Sequence, residues 1–175
     1  MLCTSTSRRY HYFQSNCSEG CRRVNRRFTY KDDFLSNFTT FSDLPLSAPT
    51  LRAIQDLGFT ELTAIQAQIL PHTLAHQDAI GQAQTGTGKT ATFLITIIEA
   101  LLKRPFDNGE ARYLGEPRAV VMAPTRELAQ QIFDDCVELT KYTDLHSVCI
   151  MGGTSYDTQQ HELERKYIDI LIATP

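Results

Sequence analysis

Gly86, Gly88, Lys89 and Thr90 close the run Ala83-Gln84-Thr85-Gly86-Thr87-Gly88-Lys89-Thr90, a spacing suited to holding a chain of phosphates. Gly86 and Gly88 tolerate φ > 0, so successive backbone N–H groups can turn inward toward phosphate oxygens. Lys89 is placed to reach the β- and γ-phosphates, and the Thr90 hydroxyl to ligate Mg²⁺. A helix opening at about Lys89 adds its positive dipole end to the same anion. The strict pattern begins with Gly, and position 83 is Ala here. Taken alone, the run also fits a Gly/Thr-rich surface turn; a strand before it and a helix after it decide between the two.

Those flanking elements are legible. Residues 78–82 read as a short strand entering the loop, and 89–103 as the apolar helix leaving it. Upstream, Ser47 predicts an N-cap with Pro49 in the first turn. Leu51, Ile54 and Leu57 share one face of that helix, and Gly58 is its stop. A second helix starts near Thr63, carries Ile65, Ile69 and Leu70, and is kinked or shortened by Pro71. Downstream, 104–118 read as a surface loop and 119–123 as a buried strand. A helix bearing Leu128, Ile132, Cys136 and Leu139 follows, then a strand over 147–151 that ends on Gly152-Gly153. A polar helix over 155–166 and a strand over 169–173 complete the pattern. Continuous apolar strands alternating with helices predict an α/β fold, a parallel sheet covered on both faces.

With 175 residues and 42% hydrophobic content, the chain is one domain by length and can bury a real core. No apolar run approaches the ~20 residues of a membrane span. Residues 1–31 carry six Arg and one Lys against Glu19, a charge of +6, and the remainder carries −9, which gives the −3 of the whole. A basic arm can attract nucleic acid; it also fits a solvated, disordered tail. Its Arg/Ser-rich start leaves an organelle address open, and the missing apolar region argues against secretion. The expected division is a tail over 1–40 and a folded domain over 41–175. The five cysteines are odd in number and irregular in spacing, and Cys17 and Cys21 lack a second ligand pair, so neither a disulfide framework nor a zinc site is expected. Cys136 and Cys149 read as core filler, and a reducing, intracellular setting follows as the default.

Several motifs then stand in the order found in the DEAD-box RNA helicases, and residues 41–175 resemble their first RecA-like lobe. Gly58-Phe59-Thr60-Glu61-Leu62-Thr63-Ala64-Ile65-Gln66 resembles the family's adenine-sensing Q motif, with Leu62 and Ala64 where two prolines are usual. The resemblance implies adenine-site roles for Phe59, Thr63 and Gln66, and for Phe41, which stands where the family keeps a base-stacking aromatic. A Gln amide donates and accepts together, which suits an adenine edge; alone, Gln66 also fits a helix-surface amide. Pro124-Thr125-Arg126-Glu127-Leu128-Ala129 is similar to the motif that holds the RNA backbone. Without that context it is an N-capped helix with Arg126 paired to Glu127 or Asp134. Gly152-Gly153 resembles the family's paired glycines, and Thr174-Pro175 the first half of its Thr-Pro-Gly-Arg motif.

The resemblance implies ATP with Mg²⁺, RNA bound through its backbone with little sequence preference, and no membrane. In the family, ATP closes two lobes on RNA and bends one strand, and hydrolysis releases it. The chain stops before the Asp-Glu-Ala-Asp segment, the second lobe and its arginine finger, a group worth roughly 10³–10⁵ in rate in related hydrolases. The 175-residue polypeptide by itself is therefore expected neither to hydrolyse ATP efficiently nor to unwind RNA; RNA-stimulated turnover from it would refute this. An open sheet edge and apolar face make low solubility expected. A binding lobe without catalysis is the second reading. A different phosphate-loop enzyme or transporter subunit is the third, and the Q motif and Pro124–Ala129 speak against it.

Overall fold

Parallel strands of four residues each form the centre of the fold, and helices pack on them. The computed structural model describes residues 38–104, 113–153 and 155–175; the tail over 1–37, Cys17 and Cys21 included, lies outside the described residues, as does 105–112 of the expected loop. A 3₁₀ turn at Phe41–Asp43 leads into α1 (Ala48–Asp56), α2 (Ala64–Leu74) and α3 (Lys89–Leu102). Then come β1 (Ala119–Met122), α4 (Arg126–Thr140), β2 (Ser147–Ile150), α5 (Tyr156–Arg165) and β3 (Ile170–Ala173).

The helix ends follow their cues. Ser47 is the N-cap of α1 with Pro49 in the first turn. Gly58, at φ +73°, ends α1: its N–H donates to the Gln55 carbonyl at 2.9 Å and that of Phe59 to Ile54 at 3.1 Å. This pair of bonds is a Schellman closure, which needs a residue at ease in the left-handed region. Thr63 caps α2, and the helix runs past Pro71 to Leu74 rather than stopping there.

The sheet order is β1-β3-β2, all parallel, with Val121 and Cys149 both in register with Ile172. Val121, Ile170 and Ile172 join Leu94, Ile95 and Ile98 of α3 and Ile132, Cys136 and Leu139 of α4 in one buried core. Because strand side chains alternate, Val120 and Met122 emerge on the opposite face of β1, 46% and 51% exposed.

At the base of the sheet, Arg118 Nη1 lies 3.0 Å from Asp169 Oδ1, and Arg118 Nη2 donates to the Leu101 carbonyl at 3.0 Å. One guanidinium thus ties the end of α3 to the entries of β1 and β3. A buried charge is tolerable when paired and hydrogen-bonded in this way.

One element differs from the reading of the sequence. Residues 78–82 form no strand, and Ile80 is fully exposed. A strand is held by ladder bonds to a neighbour, and the described strands pair only with one another. The segment instead passes close over α2. A Cβ on Gly81 would sit 2.5 Å from Ile69 Cδ1, so the glycine permits an approach that no other residue could make unchanged.

Candidate nucleotide and nucleic-acid sites

The loop 83–90 takes its shape from two glycines. Gly86 has φ +80° and Gly88, the N-cap of α3, has φ +84°. Both lie in the left-handed region, where a side chain is strained. Among the described residues, no backbone N–H from Gln84 to Thr90 donates to a well-aligned acceptor. A row of unpaired donors at the start of a fourteen-residue helix is the arrangement that binds anions. The Lys89 ammonium is folded into this loop, donating to the carbonyl of Ala83 at 2.6 Å and to that of Gln84.

The Thr hydroxyls divide by role. Thr92 donates to the Gly88 carbonyl at 2.9 Å and Thr96 to that of Thr92 at 2.9 Å, while Thr87 donates to Gln84 at 2.8 Å. The Thr90 hydroxyl makes no such bond among the described residues, so it is available as a ligand. A single neutral oxygen beside bound phosphates suits Mg²⁺, which takes few protein ligands and relies on phosphate oxygens and water.

Segment 58–66 is built directly onto the loop. Thr63 Oγ1 donates to the Thr87 carbonyl at 2.8 Å. Gln66 is only 3% exposed, so it is not a surface amide. Its Oε1 accepts from the Thr63 N–H at 2.9 Å, and its Nε2 reaches the Gly88 carbonyl at 3.4 Å. The first bond is sound and the second is long and weak, so Nε2 is the end free to change partners. Phe41 is buried and stacks on Phe59, with ring centroids 6.4 Å apart and planes at 23°. Phe59 is 40% exposed and is the ring of the pair open to a ligand. Asp43 Oδ2 accepts from the Thr40 and Thr39 N–H groups at 2.8 and 3.0 Å, which pins the turn that carries Phe41. Those donors, Thr40 first, hold the Asp43 carboxyl below its usual range.

The second group of residues lies at the carboxyl ends of the strands, the edge where open α/β sheets bind ligands. Ala123 N–H donates to the Ala173 carbonyl at 2.8 Å, and Thr174 N–H to that of Ile150 at 3.2 Å. Pro124-Thr125-Arg126, Gly152-Gly153 and Thr174-Pro175 therefore leave three adjacent strands side by side. Thr125 caps α4, accepting from the Leu128 N–H at 3.3 Å. The ion pair considered for Arg126 is not formed: Asp134 accepts from Gln130 at 2.9 Å, and Arg126 has no carboxylate partner among the described residues. Beside the loop lies a mainly apolar cavity of about 320 Å³, lined by Lys89 and Thr90 on one side and Leu128 and Ile132 of α4 on another; none of the strand-end residues lines it.

Reading the residues alone did not find Glu99. It is buried on α3, and its Oε1 accepts from both the N–H and the hydroxyl of Ser47, at 3.0 and 2.7 Å. The signal was present, because Glu99 is the only acid in α3, whose other residues after Lys89 are apolar or hydroxylated.

With Gly86 and Gly88 left-handed and its N–H groups unpaired, the loop that opens α3 beside a parallel sheet fits the phosphate-loop class, although the strand expected before it is not formed. Residues 63–175 match the family model for the DEAD/DEAH box helicase, and the chain belongs to that family. It is 54% identical over 137 residues to a protein of Pseudomonas aeruginosa named ATP-dependent RNA helicase RhlB, covering 78% of this chain and 34% of that one. A protein of Shewanella denitrificans with the same name is 48% identical over 134 residues, covering 77% and 30% respectively. The chain thus spans about a third of the length of these curated relatives. Among the described residues, no helix is long and apolar enough to cross a membrane.

Proposed function

We propose that this chain is the ATP-binding and RNA-gripping part of a cytoplasmic ATP-dependent RNA helicase. The observation that carries the reading is the row of unpaired N–H groups over 84–90, with Gln66 buried directly against it. Phosphate oxygens accept from those donors. Lys89 exchanges the Ala83 and Gln84 carbonyls for phosphate, a stronger charge-assisted partner. Thr90 would hold Mg²⁺, which would supply positive charge against that developing on the phosphates. Gln66 Nε2 gives up its weak bond to Gly88 and, with Oε1, reads the adenine edge. The base packs on the open ring of Phe59, with Phe41 behind it.

RNA lies across the strand ends, its phosphates taken by Thr125, the α4 N-terminus, Arg126 and the backbone at Gly152, Gly153, Thr174 and Pro175. Contacts of this kind position a strand without reading its bases, so the RNA preference is for backbone rather than sequence. The nucleotide reading is tested by competition with a fluorescent ATP analogue. ATP should displace it far better than GTP, and Gln66→Ala should bring the two together. Equal competition in the unaltered protein would undo the adenine assignment.

A further inference from the structure

Gly152 and Gly153 stand in the same motif, but their surroundings differ. Gly152 has ordinary backbone angles, and a Cβ there would meet nothing within 4 Å. Gly153 has φ +80°, and a Cβ there would fall 2.5 Å from Arg126 Nη1, 2.9 Å from its Cζ and 3.1 Å from its Nη2. All three nearest atoms belong to one guanidinium, so Arg126 occupies the volume that a side chain at 153 would fill. Arg126 has no carboxylate to hold it among the described residues. A long, rotamer-rich side chain without an ion pair keeps a fixed direction only where packing imposes one.

We infer that Gly153 is a positioning residue for Arg126: its bare Cα holds the guanidinium at the strand ends, aimed at an RNA phosphodiester, whereas Gly152 plays no part in this. The inference rests on the RNA reading above and deepens it. The guanidinium is the mobile end of a flexible chain, so a side chain at 153 turns it away rather than breaking the fold. The two glycines are therefore not equivalent. One leaves open space at the sheet edge, and the other orients a cation.

The test is a pair of double-mutant cycles on the complete protein, with a labelled oligouridylate strand as probe and its dissociation constant followed against salt. Gly153→Asn suits the test because Asn tolerates the left-handed region yet still fills the guanidinium's volume. Arg126→Ala and Gly153→Asn should each weaken binding about tenfold, as expected for one charge-assisted contact. Each should also lower the slope of log affinity on log salt by ~0.7, the value for one phosphate on a single strand. The double variant should bind no worse than Arg126→Ala alone. In the second cycle, any effect of Gly152→Ala should multiply with that of Arg126→Ala.

Independent, multiplying effects of Gly153→Asn and Arg126→Ala would overturn the inference, as would an unchanged salt slope in Gly153→Asn. Should Gly153→Asn lower the unfolding temperature enough to confuse the reading, Gly153→Ala compared in the Arg126→Ala and unaltered backgrounds decides on the same criterion. If Arg126→Ala leaves both affinity and slope untouched, the RNA role of Arg126 itself falls. That outcome is distinct from failure of the coupling.

Discussion

Lys89 is folded back onto the loop that presents it, with its ammonium 2.6 Å from the Ala83 carbonyl oxygen. The cation is thus satisfied internally, and under the proposed reading phosphate binding is an exchange of partners. The ammonium already lends its charge to the carbonyl bonds; phosphate oxygens add a charged acceptor to the charged donor, which favours the bound state. Lys89→Ala should therefore lower ATP affinity about 100-fold, the loss of two such bonds. Titration with a fluorescent ATP analogue measures this, and an affinity equal to that of the unaltered protein would remove the loop from the site.

Gly86 and Gly88 share a left-handed backbone but not their surroundings. A Cβ on Gly86 meets nothing within 4 Å, whereas one on Gly88 would sit 2.5 Å from Gln66 Nε2. Gly86→Ala should cost only backbone strain, about 1–2 kcal/mol of stability. Gly88→Ala should add displacement of Gln66 to that strain, and so weaken the preference for ATP over GTP as well. Urea unfolding and nucleotide competition on both variants separate the two effects. Equal discrimination in both variants would show that Gln66 does not depend on Gly88.

Much of this arrangement was readable in the residues because each signal was local. Gly58 and Thr63 mark helix ends through bonds made within four or five residues, and Ser47 stands at the expected N-cap although its side chain bonds to Glu99 rather than capping the helix. The strands 119–122, 147–150 and 170–173 are continuous apolar runs, which parallel strands buried on a core require. What escaped depends on partners distant in sequence. Residues 78–82 have the composition of a strand but no ladder partner, and apolar content does not supply one. The pairing of Ser47 with Glu99 spans 52 residues, and that of Arg118 with Asp169 spans 51. The seat of Arg126 on Gly153 joins the ends of β1 and β2, which lie on either side of β3, a relation that neither motif carries by itself.

Glu99 carries the contact between α3 and the start of α1. Its carboxylate satisfies the Ser47 N–H and hydroxyl, and Ser47 Oγ also lies 2.9 Å from Thr50 Oγ1. Glu99→Ala should strand these half-buried donors and open a cavity, at a cost of about 3 kcal/mol. Glu99→Gln keeps an acceptor and the volume, so it should cost about 1 kcal/mol. Chemical denaturation gives both values. Similar losses in the two variants would mean that shape, not the carboxylate's bonds to Ser47, holds α1 in place.

Cys136 lies fully buried in the core where α4 meets the sheet, and burial pushes its thiol up to about 11, against the 9.0 of a free thiol. A hydrogen bond from Ser147 opposes the shift without cancelling it. Below pH 9 the thiol is protonated in both the folded and unfolded chains, and its contribution to stability is constant. Between pH 9 and 11 the unfolded chain loses the proton while the folded one keeps it, so the unfolded state binds fewer protons and stability falls as pH rises. The loss amounts to about 2–3 kcal/mol across that window. Other groups titrate there too, so the informative quantity is the stability of the unaltered protein minus that of Cys136→Ala, measured by urea unfolding from pH 8 to 11. The difference should be flat to pH 9 and then shrink. A difference that stays constant to pH 11 would mean that the thiol ionises as easily in the fold as in water, and that Cys136 is not packed as described.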